Sequence, residues 1–131
     1  MNKNIKDFDK WNIQKKIIHN SGTSKFYRVR EIWWCNLGVN IGSEQDGTGD
    51  YNRRPVLIIK GFSREVCLII PLTTSQKDNK YYLKIGLVNK KEASAIISQI
   101  RLIDTKRLIR KIGDLNKNKF EETKKAVKNL I

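Results

Sequence analysis

Arg53 and Arg54 stand side by side directly before Pro55 and the apolar run Val56 to Ile59. Thr73 and Thr74 follow a second apolar run, "IIPL" (Ile69 to Leu72). The proline fixes the local backbone and directs the chain into its strand. If the two runs pair as a hairpin about "KGFSRE", Arg54 and Thr73 fall at the same end of it. A guanidinium fork beside a hydroxyl suits a phosphate, because it offers paired hydrogen bonds and a permanent charge. The ordinary alternative is that arginines at a strand start are solvated and that threonine is a common strand residue. On pattern alone that alternative is the stronger of the two.

Other chemistries have less to work with. The one histidine, His19, lies in the N-terminal part, so the remainder has no imidazole for acid–base work. No Cys/His cluster has zinc-ligand spacing. In the loop "GSEQDGTGDYN" (Gly42 to Asn52), Asp46, Thr48, Asp50 and Asn52 alternate as in a calcium loop. Tyr51 stands where that loop needs glycine, however, and Leu57 where it needs its closing acid. Neither a P-loop nor a dinucleotide fingerprint is present. Cys35 and Cys67 sit inside apolar runs and read as small buried hydrophobes rather than a disulfide.

The elements that position these residues can be read from periodicity. Residues 7 to 20 place Phe8, Trp11, Gln14 or Lys15, and Ile18 near one helical face, with Asp7 as a cap and "NSGTS" as a stop. From Val29 onward the pattern is that of strands. "VREIWWCNL", "RPVLIIKGF", "EVCLIIPLT", "KYYLKIGL" and "SAIISQIRLI" are five candidates separated by short turns, which predicts a small antiparallel barrel. "DTKRLIRKIGDL" reads as a connector with a helical turn and a short final strand. "NKFEETKKAVKNLI" reads as a C-terminal helix, with Asn118 and Glu121 at capping-box spacing and Phe120, Val127, Leu130 and Ile131 on one face.

The 131 residues fit one domain, residues 26–131, preceded by an amphipathic helix and linker over 1–25. Twenty-seven basic against thirteen acidic residues give +14. That excess suits a polyanionic partner, or belongs to a basic protein of a lysine-rich proteome. The chain has no apolar run of about 18 residues, and its N-terminus lacks the apolar centre of a secretory signal. A cytoplasmic protein with no membrane partner is expected.

Four segments then occur in a recognisable order: "EIWWCNLGVNIGSEQ", "RRPVLII", "IIPLTT" and "SQIRLIDTKRL". They resemble the GEIWxxxLxPxxGSEQ, RPxLVI, xxPLTS and xQIRTxDxxRL blocks of the MazF/PemK/Kid family, over about residues 30 to 131. The resemblance implies a mainly β fold: an SH3-like antiparallel barrel of the CcdB/PemK type with a C-terminal helix, to which this chain adds its N-terminal helix. It implies the toxin of a type II toxin–antitoxin pair, a homodimer that cuts single-stranded RNA (messenger RNA) sequence-specifically without metal or other cofactor. The ribose 2′-hydroxyl would attack, leaving a 2′,3′-cyclic phosphate and a 5′-hydroxyl.

By the same resemblance Arg54 would stabilise charge on the phosphorane. Thr73 would hydrogen-bond a non-bridging oxygen or assist the leaving group, and Glu44 would accept the 2′-hydroxyl proton. An acid at Glu44 could equally cap a turn or pair with Arg53. Ser43, Gln45, Thr74 and Gln99 match positions lining the RNA groove, Arg53 adjoins them, and Tyr51 offers a ring for a splayed base. Gln99 serves equally well as a partner for barrel backbone. The loop before Arg54 is longer than in compact members of the family. The expected partners are single-stranded RNA, a second copy of the chain and an acidic antitoxin, with operator DNA reached only through the antitoxin complex. Two rival readings are a CcdB-like gyrase poison and a non-catalytic nucleic-acid-binding barrel. The first acts through a Trp-Gly-Ile end, where this chain has Asn129-Leu130-Ile131. The second would bind in a salt-dependent way without forming product.

Overall fold

Consecutive apolar residues in a strand point to opposite faces, so an unbroken apolar run requires burial on both sides. The computed structural model, which describes residues 6–40, 46–48, 52–75 and 77–131, meets that requirement with two cores on one curled sheet. Strands β1 (Glu31–Asn36), β2 (Arg53–Gly61) and β3 (Val66–Thr73) form its centre. Ile32, Leu57, Ile70 and Leu72 enter one core. Trp33, Cys35, Val56, Ile58 and Ile69 enter the other. Both thiols are buried and unpaired, as read from the sequence.

The remaining strands are β4 (Tyr82–Val88), β5 (Lys91–Ile96), β6 (Arg101–Asp104) and β7 (Leu108–Asp114). The seven strands run in the order β4-β5-β3-β2-β1-β7, with β6 also paired to β3, all antiparallel. The result is a half-barrel of the expected mainly β type. Strand β3 is shared along its length: Val66 to Ile69 pair with β6, and Leu72 and Thr73 pair with β5. The single strand expected over "SAIISQIRLI" is therefore two, separated by a 3₁₀ turn at Ile97–Gln99. "DTKRLIRKIGDL" does hold a helical turn, Thr105–Arg107, and then the final strand β7. Asn89 and Lys90 both have positive φ (51° and 68°), the geometry of the tight hairpin turn that joins β4 to β5.

Among the described residues two α-helices flank the sheet. The C-terminal α2 (Lys117–Asn129) lays Phe120, Ala126 and Val127 on the first core, while Leu130 and Ile131 are exposed. Its cap is Asn116, whose side chain accepts from the Asn118 and Lys119 amides at 2.8 and 3.3 Å. The expected Asn118–Glu121 box thus starts two residues too late. The N-terminal α1 (Phe8–Ser21) starts at Asp7, which accepts from the Lys10 amide at 2.9 Å. It buries Trp11 and half-buries Gln14 and Ile18, but Phe8 is 49% exposed and leaves the expected stripe. No described helix is long and apolar enough to cross a membrane.

Candidate nuclease site

The β2–β3 ladder pairs Val56 with Pro71, and continuing that register by two residues sets Arg54 opposite Thr73. The two share one cleft of about 480 Å³ at this end of the sheet, as the hairpin reading predicted. Arg54 is held there by main-chain oxygens. Its Nε donates to the Asp46 carbonyl at 2.8 Å and its Nη1 to the Leu72 carbonyl at 3.0 Å. Burial pulls its pKa below the ordinary arginine value, against which the nearby charges of Asp46 and Tyr82 raise it. A guanidinium has so much range above neutrality that it stays charged.

Thr73 accepts a hydrogen bond from the Ser75 amide at 3.1 Å, which orients its oxygen and keeps its proton for donation. Thr74 lines the same cleft. Arg53, next to Arg54, is exposed and does not line the cleft; its backbone bridges to Thr48 through bonds of 2.7 and 2.9 Å. Gln99 sits half-buried in the turn between β5 and β6 and is not among the cleft residues either. Ser43, Glu44, Gln45 and Tyr51 lie outside the described residues.

Sequence reasoning missed part of the cleft. Trp34, from β1, offers an aromatic surface beside Pro55, its register partner. Lys91, just after the β4–β5 turn, adds a cation to the cleft lining. The turn signal "NK" at 89–90 was available for Lys91, because it pairs β4 with β5 and so brings the start of β5 towards Thr73. The anchoring of Arg54 by two carbonyls had no signal, since main-chain oxygens carry no residue identity. Among the described residues, no group of three or more His, Cys, Asp or Glu side chains is placed to hold a metal ion.

The sequence model of the PemK-like, MazF-like toxins of type II toxin–antitoxin systems matches residues 28–131, and the chain belongs to that family. No curated protein matches it at the sequence level. Among solved structures it resembles MazF from Deinococcus radiodurans, with a TM-score of 0.64 at 16% identity over 81% of this chain and 96% of that one. An endoribonuclease in complex with its cognate antitoxin, from a mycobacterial species, aligns with a TM-score of 0.62 at 15% identity, covering 79% and 93%. The Mycobacterium tuberculosis toxin MazF-mt6 gives 0.60 at 20% identity, covering 76% and 94%. At such identities the likeness defines the fold. Helix α1 lies wholly before the matched residues.

Proposed function

We propose that the chain is a ribonuclease toxin that cleaves single-stranded RNA at the Arg54–Thr73 cleft without metal, with messenger RNA as its substrate. The observation that carries this reading is the immobilised guanidinium of Arg54 in one cleft with an oriented hydroxyl. The ribose 2′-oxygen attacks the adjacent phosphorus, forming the 2′-O–P bond while the P–O5′ bond breaks. The products are a 2′,3′-cyclic phosphate and a 5′-hydroxyl. Arg54 stabilises charge on the equatorial oxygens of the phosphorane, where a preorganised donor matters most. Thr73 hydrogen-bonds a non-bridging oxygen or the departing 5′-oxygen, which takes its proton from water. Glu44 takes the 2′-hydroxyl proton, Ser43, Gln45 and Thr74 hold the flanking nucleotides, and Gln99, outside the cleft, meets the strand further along. Trp34 adds a stacking surface for a base, as unstacked bases on aromatic planes are the usual basis of RNA reading.

The solved relative that carries its cognate antitoxin supports an antitoxin partner for this chain. Its +14 charge fits an acidic, partly disordered segment laid along the cleft. A cytoplasmic homodimer, reaching operator DNA only with its antitoxin, completes the reading.

The test is incubation of purified protein with a long single-stranded RNA in EDTA, beside Arg54→Ala. Discrete cuts with 5′-hydroxyl ends, absent from the variant, are expected. Intact RNA with folded, antitoxin-free protein would overturn the nuclease and turn attention to gyrase poisoning or to binding alone.

A further inference from the structure

We propose that the N-terminal segment is a working part of the cleft, with Lys6 and Gln14 as positioning residues for Arg54. The proposal rests on the reading of Arg54 as the phosphate-binding arginine. Its basis is where the segment makes its contacts. Lys6 Nζ pairs with the Asp46 carboxylate at 3.2 Å and also donates to the Asn40 carbonyl at 2.5 Å. Gln14 Oε1 accepts from Asn52 Nδ2 at 3.2 Å. Trp11 lies so close over Gly38 that a Cβ there would meet its ring at 2.0 Å, and Gly38 itself has φ of +74°. Three side chains of one short segment thus hold the connection between β1 and β2, the loop that leads into Arg54.

That connection is tied within itself as well. The Gly38 amide donates to the Asn52 carbonyl at 3.0 Å, the Gly47 amide to Gly38 at 2.8 Å, and the Asn40 amide to Asp46 Oδ1 at 2.6 Å. Asp46 is the pivot. Its carboxylate is gripped by Lys6 and the Asn40 amide, while its carbonyl receives Arg54 Nε. Displacing Asp46 therefore displaces the oxygen that aims the guanidinium. A helix serving only to cover apolar sheet would turn its aliphatic side chains inward, yet Ile13 and Ile17 are 62% and 58% exposed.

The experiment uses the full chain as wild type, Lys6→Met, Lys6→Arg and Gln14→Ala. Amide exchange at Asn40, Gly47 and Thr48 and the Arg54 Nε–H signal are followed by NMR without RNA, and kcat and KM are measured on a short RNA. In Lys6→Met, exchange at those three amides rises about tenfold while the strand amides keep their protection. Its kcat falls about tenfold with KM nearly unchanged, as expected when a residue outside the substrate contact only misaims an arginine whose bond strengthens in the transition state. Lys6→Arg restores both, and Gln14→Ala shifts them in the same direction by less. Unchanged exchange and kcat in Lys6→Met would overturn the proposal. So would loosening spread over the whole sheet with no rescue by arginine, or a change confined to KM. Should wild type leave RNA intact while Lys6→Met still loosens the loop amides and alters the Arg54 signal, the clamp stands and the nuclease reading falls.

Discussion

The phosphate-binding role proposed for Arg54 needs a side chain that is charged and stationary at once, and at Arg54 the two demands are met by different means. The charge is intrinsic to the guanidinium; the position comes from the carbonyls of Asp46 and Leu72. Lysine in its place would keep the charge and lose the planar fork that spans those two oxygens. Arg54→Lys is expected to lower kcat about 10²- to 10³-fold, the scale of losing one preorganised donor, and Thr73→Val to lower it less, both measured by single-turnover cleavage. Equal rates for either variant and wild type would remove that residue from the mechanism. The neighbourhood of Arg54 and Thr73 was legible because two apolar runs joined by a short polar turn have few ways to pair. The divergence of Arg53 from Arg54 was not: adjacent residues in a strand take opposite sides, and only the register decides which one enters the cleft. Cys35 and Cys67 are buried and do not line the cleft, and burial pushes their thiols up to about 12 and about 11.

At the scale of elements, what hid from the sequence was a break without a breaker. "SAIISQIRLI" contains neither glycine nor proline, so nothing marks the 3₁₀ turn at Ile97–Gln99 that carries the chain past the middle of β3. The cap of α2 was missed for a related reason: Asn116 and Asn118 are both good caps, and the buried Leu115 before Asn116 fixes the frame. Asn116→Ala is expected to destabilise by about 1 kcal/mol, seen as a lower thermal midpoint, and Asn118→Ala to leave it unchanged. The reverse order would restore the later cap. Strand β1 is tied to β7 through the buried Glu31, which accepts from Trp33 Nε1 at 3.0 Å and the Arg28 amide at 2.8 Å and pairs with Lys111 at 3.1 Å. Burial alone would raise its pKa, but the bonds from Trp33, Arg28 and Lys111 outweigh it and the carboxyl sits below its ordinary 4.5. A carboxyl depressed in the fold contributes stability that is complete above its unfolded value and is lost as pH falls through the folded one. Denaturant midpoints of wild type should therefore drop below about pH 4.5 more steeply than those of Glu31→Gln. Parallel curves would show that the tie contributes nothing.

Over the whole molecule the charge of +14 bears on how the proposed RNA substrate would be bound. Binding of an RNA blocked by a 2′-deoxy group at the scissile position should weaken with salt. The logarithmic slope should be about −0.7 for each phosphate engaged, measured by fluorescence anisotropy. A flat response would mean that the basic surface is idle and that contacts to the bases dominate. One further consequence follows from the division of β3 between β6 and β5. Strand β5 can pair locally with β4, but neither it nor β6 can join the central sheet until β3 is in place, so the topology favours early formation of the β2–β3 ribbon. Ile69, wholly buried where β3 meets both β2 and β6, lies at the heart of that ribbon. Ile69→Val, costing about 0.5–1.5 kcal/mol, should act mainly by slowing refolding, whereas Ala126→Gly in α2 should act mainly by speeding unfolding. Stopped-flow chevrons would separate the two, and with them the elements this chain must build first from those it adds afterwards.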